Sequence, residues 1–277
     1  MFKPNAQGVI SHSDKEKFEL SGYHVIKKLF ALDDVKIWRQ KIRDVFSLPY
    51  KESNREQLNY ETHTMPDGVT RIENFWPLIF NKKLLAVVRG LIGDNILYTQ
   101  HSDIHINLPG GRWHRDNAHR NFGVGPDWDE SIEPYKVVRV ALYLSDYKDS
   151  GSCLRVLDGT HRAESALCRR EYTVWNLLRT KARHYNLNDK LHHMFFTNSM
   201  TTIKTEPGDC VIFDQRVLHA GGVLGGRLPK YAAYLSYGVD NMHSHNHRQF
   251  YLDRPTYQRD IPEKLYNQLL NVNLLTD

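Results

Sequence analysis

Short strand-like segments separated by glycine and proline turns are the feature that most restricts how this chain can fold. Alternating sequence rich in Ile, Val, Tyr and Ala begins near residue 96 and predicts strands at 96–106, 136–144, 153–157, 210–213 and 231–237. Turn sequences such as Pro109-Gly110-Gly111 and Pro207-Gly208-Asp209 lie between these segments. Many short strands with such turns favour an all-β core, built either as a sandwich or as a closed barrel.

Helical segments are predicted before, within and after this β core. Residues 13–46 are predicted to form a helix, a strand and a second helix, and the whole stretch 13–95 to support the core. Residues 163–195 carry apolar residues at helical spacing, which predicts one or two helices inserted between strands. All-β barrels often reach 277 residues as one unit, so residues 1–277 are predicted to form a single domain, with the core at 96–240 and a C-terminal extension at 241–277.

Composition and charge argue against several classes of protein. A hydrophobic content of 40% with 25% charged residues is typical of a soluble globular domain. The formal charge of +5 is spread along the chain, so no nucleic-acid interface is predicted. The chain contains no apolar run long enough for a membrane span or a secretory signal, which predicts a cytoplasmic protein. The three widely spaced cysteines are predicted to be reduced and buried: Cys153, Cys168 and Cys210.

The tripeptide His-x-Asp occurs three times and raises the possibility of a metal centre. Two histidines and one carboxylate form the facial triad of non-haem Fe(II) oxygenases, which leaves coordination positions open. In a strand, His-x-Asp places both side chains on the same face. The occurrence at His12 precedes the core and is predicted to belong to a helix cap, whereas the one at His101 lies within a strand and could line a pocket. His114-Arg115-Asp116 follows the Pro109-Gly110-Gly111 turn, at the mouth of a strand.

A second segment supplies a third possible ligand. Residues 206–222 contain a tight turn, a short apolar strand and then His219, which precedes the small residues Ala220, Gly221 and Gly222. Small residues allow another group to approach the backbone closely. His219 is thus one candidate for the distant histidine that a facial triad requires.

Four parts of the chain, in this order, resemble the phytanoyl-CoA dioxygenase family of Fe(II)/2-oxoglutarate-dependent oxygenases. They are Gly22–Ile26, Leu108–Asp116, Asp149–Arg162 and Pro207–Gly222. The resemblance implies a double-stranded β-helix, that is, a jelly-roll or cupin-like barrel, with flanking helices. It also implies that His114, Asp116 and His219 bind iron and that 2-oxoglutarate and O2 are cosubstrates, with ascorbate as a reductant.

The resemblance further implies a basic residue that pairs with the far carboxylate of 2-oxoglutarate. The family pattern has Arg about eleven positions after the distal histidine, where this chain has Lys230, with Arg227 three residues earlier. Arg offers a bidentate fork to a carboxylate, whereas Lys offers a point charge, so chemistry favours Arg227 and register favours Lys230. Two polar residues predicted to face the pocket, Arg139 and Asn107, are further candidates for cosubstrate binding.

The predicted reaction is oxidation, most simply hydroxylation, of a C–H bond in a small-molecule metabolite or natural-product intermediate, with release of succinate and CO2. Related halogenases replace the carboxylate ligand with a small residue, and here Asp116 is present. Two alternatives stay open: a cupin-like metal-dependent isomerase or lyase that does not use 2-oxoglutarate, and a jelly-roll binding module with incidental histidines. The sequence leaves the substrate and the oligomeric state open.

The alternating histidines His243, His245 and His247 could also bind a metal loosely. Because no acidic or thiol partner accompanies them, this segment is predicted instead to be a loop that packs on the barrel mouth.

Overall fold

The architecture was analysed in a computed structural model of the chain, which describes residues 10–48, 61–108, 110, 113–118, 125–170, 173, 199–225, 228–257 and 259–275. The strands are β1 (Tyr23–Ile26), β2 (His63–Pro66), β3 (Ile96–Tyr98), β4 (Asp103–Ile106), β5 (Val137–Tyr143), β6 (Cys153–Leu157), β7 (Met200–Lys204), β8 (Cys210–Asp214), β9 (His219–Gly221) and β10 (Tyr231–Val239). The helices are α1 (His12–Ser21), α2 (Leu32–Val45), α3 (Gly68–Arg71), α4 (Trp76–Ile79), α5 (Lys82–Ile92), α6 (Tyr147–Ser150), α7 (Met242–Leu252) and α8 (Glu263–Asn271). Short 3₁₀ turns occupy Glu73–Phe75 and Pro126–Trp128.

Two antiparallel sheets form the core. The larger sheet has the order β1-β8-β5-β10-β4-β2, with β3 pairing with β10 beyond the end of β4. The smaller sheet has the order β7-β6-β9. An isolated bridge between His114 and His219 adds one more extended segment to the smaller sheet. The predicted all-β jelly-roll core with flanking helices is therefore confirmed.

The two faces of β5 show how the sheet divides the core. Val138, Val140 and Leu142 pack in the large hydrophobic cluster that also contains residues of α2 and α5. Ala141 and Tyr143, on the other face, pack against β6 and β8 in a smaller cluster between the two sheets. Strict alternation produces this division because successive strand residues point to opposite faces. The outer face of the larger sheet binds the supporting helices, and its inner face lines the barrel.

The supporting helices dock through regularly spaced apolar residues. In α2 the buried residues are Val35, Trp38 and Ile42, which lie on one helical face. Helix α5 begins at Asn81, whose side chain accepts a hydrogen bond from the backbone N–H of Leu84, as an N-cap residue does. No helix among the described residues is long and apolar enough to span a membrane.

The structure corrects two of the expectations about local structure and leaves a third largely untested. The strand predicted at 96–106 is two strands, β3 and β4, because the chain leaves the extended conformation between them and Gln100 has a positive φ of 57°. The segment that begins at Met242 is helix α7, capped by the Asn241 side chain, and not a loop. Most of the insertion predicted at 163–195 lies outside the described residues, although 166–170 are helical.

The central strand β10 provides a test of this packing. Leu235 is fully buried between β5 and the helices, whereas Leu20 on α1 is 59% exposed. We expect Leu235→Ala to lower the free energy of unfolding by about 2–5 kcal/mol, since it leaves a cavity that the rigid sheet cannot close. Leu20→Ala is the control, with an expected change within about 0.5 kcal/mol. Urea unfolding followed by circular dichroism measures both, and equal effects would contradict the assigned core.

Candidate metal centre

A bridge between the two sequence motifs pairs His114 directly with His219. The His114 N–H donates to the His219 carbonyl at 2.9 Å, and the His219 N–H donates to the His114 carbonyl at 3.0 Å. Two residues further on, the Asp116 N–H donates to the Gln215 carbonyl at 2.8 Å. Directly paired residues of antiparallel strands project their side chains to the same face. The pairing therefore directs both imidazoles, and Asp116 with them, to one side.

The three side chains converge on one point. His114 Nε2 lies 3.6 Å from Asp116 Oδ1, and His219 Nε2 lies 3.7 Å from Asp116 Oδ2. The two imidazole centroids are 4.3 Å apart. Among the described residues, these three form the one group of His, Cys, Asp or Glu side chains arranged to hold a metal ion, with ligand atoms within 4.8 Å of one another. Two imidazoles and one carboxylate are a donor set that fits Fe(II).

Hydrogen bonding and burial prepare His219 to act as a neutral ligand. Its Nδ1 lies 2.9 Å from the Val217 carbonyl, which can only accept, so Nδ1 carries the proton and Nε2 presents a lone pair. Burial lowers the pKa of His219 to about 3, and the neighbouring His114 acts in the same direction. The imidazole is therefore neutral at physiological pH.

The side of the site away from solvent is strongly polar. Asp116 is 8% exposed and His219 4%, whereas the His114 side chain is 38% exposed, so the centre opens on the His114 side. Arg139 is buried behind Asp116, with its Nε 3.8 Å from Asp116 Oδ2, and it also pairs with Asp103. The guanidinium that was predicted to contact a cosubstrate thus has two protein carboxylates around it.

Lys230 lies immediately before β10 and is itself buried. Its ammonium donates to the Gly222 carbonyl at 2.9 Å, close to the end of β9. Burial lowers the pKa of Lys230 to about 8, with Arg155 acting in the same direction and Cys153 opposing it. Arg227, the alternative basic residue, lies outside the described residues.

Asn107 acts on the backbone of Lys230. Its side-chain Oδ1 accepts the Lys230 N–H at 3.0 Å, and its own N–H donates to the Lys230 carbonyl at 2.8 Å. Asn107 also has a positive φ of 54°, a conformation that Asn adopts more readily than most residues. The contacts described for Asn107 therefore hold the strand end that carries Lys230.

The other two His-x-Asp tripeptides lack a third converging ligand among the described residues. His12 is exposed on α1 beside Glu16. His101 Nε2 lies 3.9 Å from Asp103, but the imidazole stacks on Tyr251 at 3.5 Å and Asp103 pairs with Arg139.

The C-terminal histidines diverge around helix α7. His243 contacts the Glu133 carbonyl, His245 pairs with Asp240, and His247 contacts His101. They do not form a second metal site in the described structure.

The barrel interior contains residues that the sequence did not single out for function. His105 contacts Thr64 Oγ1 through Nδ1 at 3.0 Å and packs edge-on against Tyr234 at 5.2 Å. Burial lowers the pKa of His105 to about 4, so it is neutral. Its position was readable from the alternation with Asp103 and Asn107. Two tyrosines of the C-terminal segment, Tyr251 and Tyr257, also reach this region, and no sequence signal connects them to it.

Comparison with known proteins identifies the relatives of this chain. Residues 18–223 match the family described as phytanoyl-CoA dioxygenase (PhyH). Ectoine dioxygenase from Streptomyces anulatus is 21% identical over 175 residues, which cover 57% of this chain. The alignment spans about half, 54%, of that relative's length.

Solved structures share the fold. HygX from Streptomyces hygroscopicus, with nickel and 2-oxoglutarate bound, superposes with a TM-score of 0.60 at 14% identity, covering 84% of this chain and 88% of HygX. EctD from S. alaskensis, with bound Fe, gives a TM-score of 0.57 at 16% identity, covering 86% of this chain and 79% of EctD. The match over residues 18–223 extends across most of the chain, and on this basis the protein belongs to the phytanoyl-CoA dioxygenase family of iron- and 2-oxoglutarate-dependent dioxygenases.

Proposed function

We propose that this protein is an Fe(II)/2-oxoglutarate-dependent oxygenase that hydroxylates a C–H bond of a small-molecule substrate. The observation that carries the proposal is the convergence of His114, Asp116 and a neutral His219 within 4.8 Å. His114 Nε2, one Asp116 oxygen and His219 Nε2 would hold Fe(II) and leave coordination positions open for 2-oxoglutarate and O2. When bound, the iron supplies the oxidising chemistry, in which 2-oxoglutarate is converted to succinate and CO2.

The residues of the chain then have distinct tasks. Lys230 binds the far carboxylate of 2-oxoglutarate, a role for which Arg227 is the alternative. The buried Tyr143 and the partly buried Tyr234 line the barrel and keep bulk water away from the reacting centre. Direct contact of Arg139 or Asn107 with 2-oxoglutarate stays a prediction, since their described partners are protein groups. Ascorbate is proposed as the reductant that keeps the iron in the ferrous state.

Two features favour this proposal over its alternatives. A metal-dependent isomerase or lyase would not need a buried cation for a dicarboxylate, and Lys230 is only 7% exposed. The burial and orientation of His219 argue against a binding module with incidental histidines. Asp116 favours hydroxylation over halogenation because it occupies the position that a halide would need. We further propose a cytoplasmic location, with no nucleic-acid or membrane partner.

The triad predicts how metal binding responds to substitution. His114→Ala or His219→Ala should abolish stoichiometric Fe(II) binding, because two remaining ligands make a poor facial site. The matched control is His245→Ala, an exposed histidine whose partner is Asp240. Anaerobic titration with Fe(II) measures the stoichiometry, and formation of succinate from 2-oxoglutarate with Fe(II) and ascorbate measures turnover. Wild-type metal binding in both triad variants would contradict the assignment.

The role proposed for Lys230 predicts that its replacement weakens the binding of 2-oxoglutarate. Replacing Lys230 by Met should weaken binding roughly ten- to a hundredfold, since one charge-assisted contact is worth about 1.5–3 kcal/mol. Lys36→Met on the exposed face of α2 is the control and should leave the affinity unchanged. Calorimetric titration of the Co(II)-loaded protein gives the dissociation constant without turnover. An unchanged constant in Lys230→Met would assign the carboxylate to Arg227 or Arg139, which the corresponding alanine variants then distinguish.

The lowered pKa of Lys230 also predicts a pH dependence. The ammonium is charged below its pKa of about 8 and loses its charge above it, so 2-oxoglutarate affinity should fall as the pH rises from 7 to 9. The neighbouring Cys153 should not compensate, because burial raises the pKa of its thiol and keeps it neutral. Lys230→Arg should remove this pH dependence, since Arg remains charged throughout. A parallel decline in both proteins would assign the pH effect to another group.

A further inference from the structure

A buried network of charged and polar side chains extends from the candidate metal centre to the C-terminal segment. It begins at Arg139, which is 3% exposed and lies on the inner face of β5. The Arg139 guanidinium donates through Nη1 to the His101 carbonyl at 2.5 Å and to Ser236 Oγ at 3.2 Å. Its Nη2 donates to Asp103 Oδ2, and its Nε lies 3.8 Å from Asp116 Oδ2. The guanidinium is thus held on three sides and directed at the carboxylate ligand.

Asp103, the second member of this network, is itself held by a hydrogen bond from the C-terminal segment. The Tyr257 hydroxyl donates to Asp103 Oδ1 at 2.8 Å, while Oδ2 accepts from Arg139. Burial and the adjacent Asp103 raise the pKa of Tyr257, so the phenol stays protonated and continues to donate. The two oxygens of Asp103 therefore have separate partners, one from β5 and one from the turn that follows α7.

Helix α7 also reaches the backbone of the carboxylate ligand. The Tyr251 hydroxyl donates to the Asp116 carbonyl at 3.1 Å. The Tyr251 side chain is fully buried, with the His101 imidazole stacked on its ring at 3.5 Å. Asp116 is thus approached from the C-terminal segment in two ways, directly at its main chain and indirectly at its carboxylate.

The charges in this network give Asp103 a specific role. Arg139 alone would neutralise Asp116 and repel a cation bound beside it, because charges interact strongly where water is excluded. Asp103 balances the charge of Arg139, which leaves the negative charge of Asp116 available for a metal ion. The Arg139 Nε lies too far from Asp116 for a hydrogen bond, so Arg139 acts on this carboxylate through its charge.

We propose that Arg139, Asp103 and Tyr257 are positioning residues that orient Asp116 and preserve its charge for the metal. The C-terminal segment, which contributes Tyr257, thus completes the metal centre. The proposal rests on the proposed function, since it requires a metal at His114, Asp116 and His219. It assigns a task to Tyr251, Tyr257 and the interior face of β4, which lie outside the triad.

The test measures Co(II) affinity and the visible absorption spectrum of the Co(II) protein, without 2-oxoglutarate. Asp103→Asn should weaken Co(II) binding by about tenfold or more, in the range found when partners of a metal ligand are removed. The double variant Asp103→Asn/Arg139→Gln should bind Co(II) more tightly than Asp103→Asn alone, because the uncompensated guanidinium is gone. A second mutation that restores affinity is not expected if these residues only stabilise the fold.

Tyr257→Phe is the mild variant and keeps the test informative if the charge variants fail to fold. It should weaken Co(II) binding severalfold and shift the Co(II) spectrum, whereas Tyr147→Phe, a phenol beside Lys204, should do neither. Wild-type affinity and spectrum in Tyr257→Phe, or a double variant no tighter than Asp103→Asn, would overturn the proposal. If the wild-type protein itself failed to bind Co(II) through the triad, the proposed function would fail instead.

Discussion

The paired backbone hydrogen bonds between His114 and His219 are the interaction on which the rest of the site depends. They join a segment that lies outside the named strands to β9, and so place two imidazoles on the same side of the barrel. Asp116 is placed on the same side because its N–H continues the backbone pairing by donating to the Gln215 carbonyl. A shift of one residue in this register would turn both side chains of His-x-Asp away from His219, since strand side chains alternate in direction. The arrangement of the candidate ligand side chains is therefore determined by main-chain pairing.

Burying charge inside the barrel imposes a second constraint. Arg139 and Asp103 are both nearly inaccessible, and an isolated buried charge is strongly unfavourable. The structure meets this cost by placing the two opposite charges together and adding Tyr257, Ser236 and the His101 carbonyl as hydrogen-bond partners. The same arrangement directs Arg139 toward Asp116. The stability of the barrel interior and the orientation of the metal-binding carboxylate thus have a common physical origin.

Local pattern was sufficient for much of the architecture. Strict alternation in β5 places Ala141 and Tyr143 on the face opposite the residues that pack on the helices. The prediction from alternation was wrong where a single residue left the extended conformation, as Gln100 does between β3 and β4. It also failed at α7, where the alternating histidines imitate an extended segment although Asn241 caps a helix. Both failures concern local conformations that neighbouring elements stabilise.

The sequence by itself determined the residue types, their order and the periodicity that makes an all-β barrel with flanking helices the favoured fold. These properties are local, because alternation and turns involve residues close together in the chain. Only the tertiary structure decided that Lys230 is buried against Gly222, that Asp103 neutralises Arg139, and that Tyr251 contacts Asp116 across 135 residues. Such contacts depend on how the sheet closes and where the C-terminal helix docks, and both are outcomes of packing the whole chain. Charge compensation in a buried site is a property of three-dimensional neighbours, which spacing along the chain does not encode.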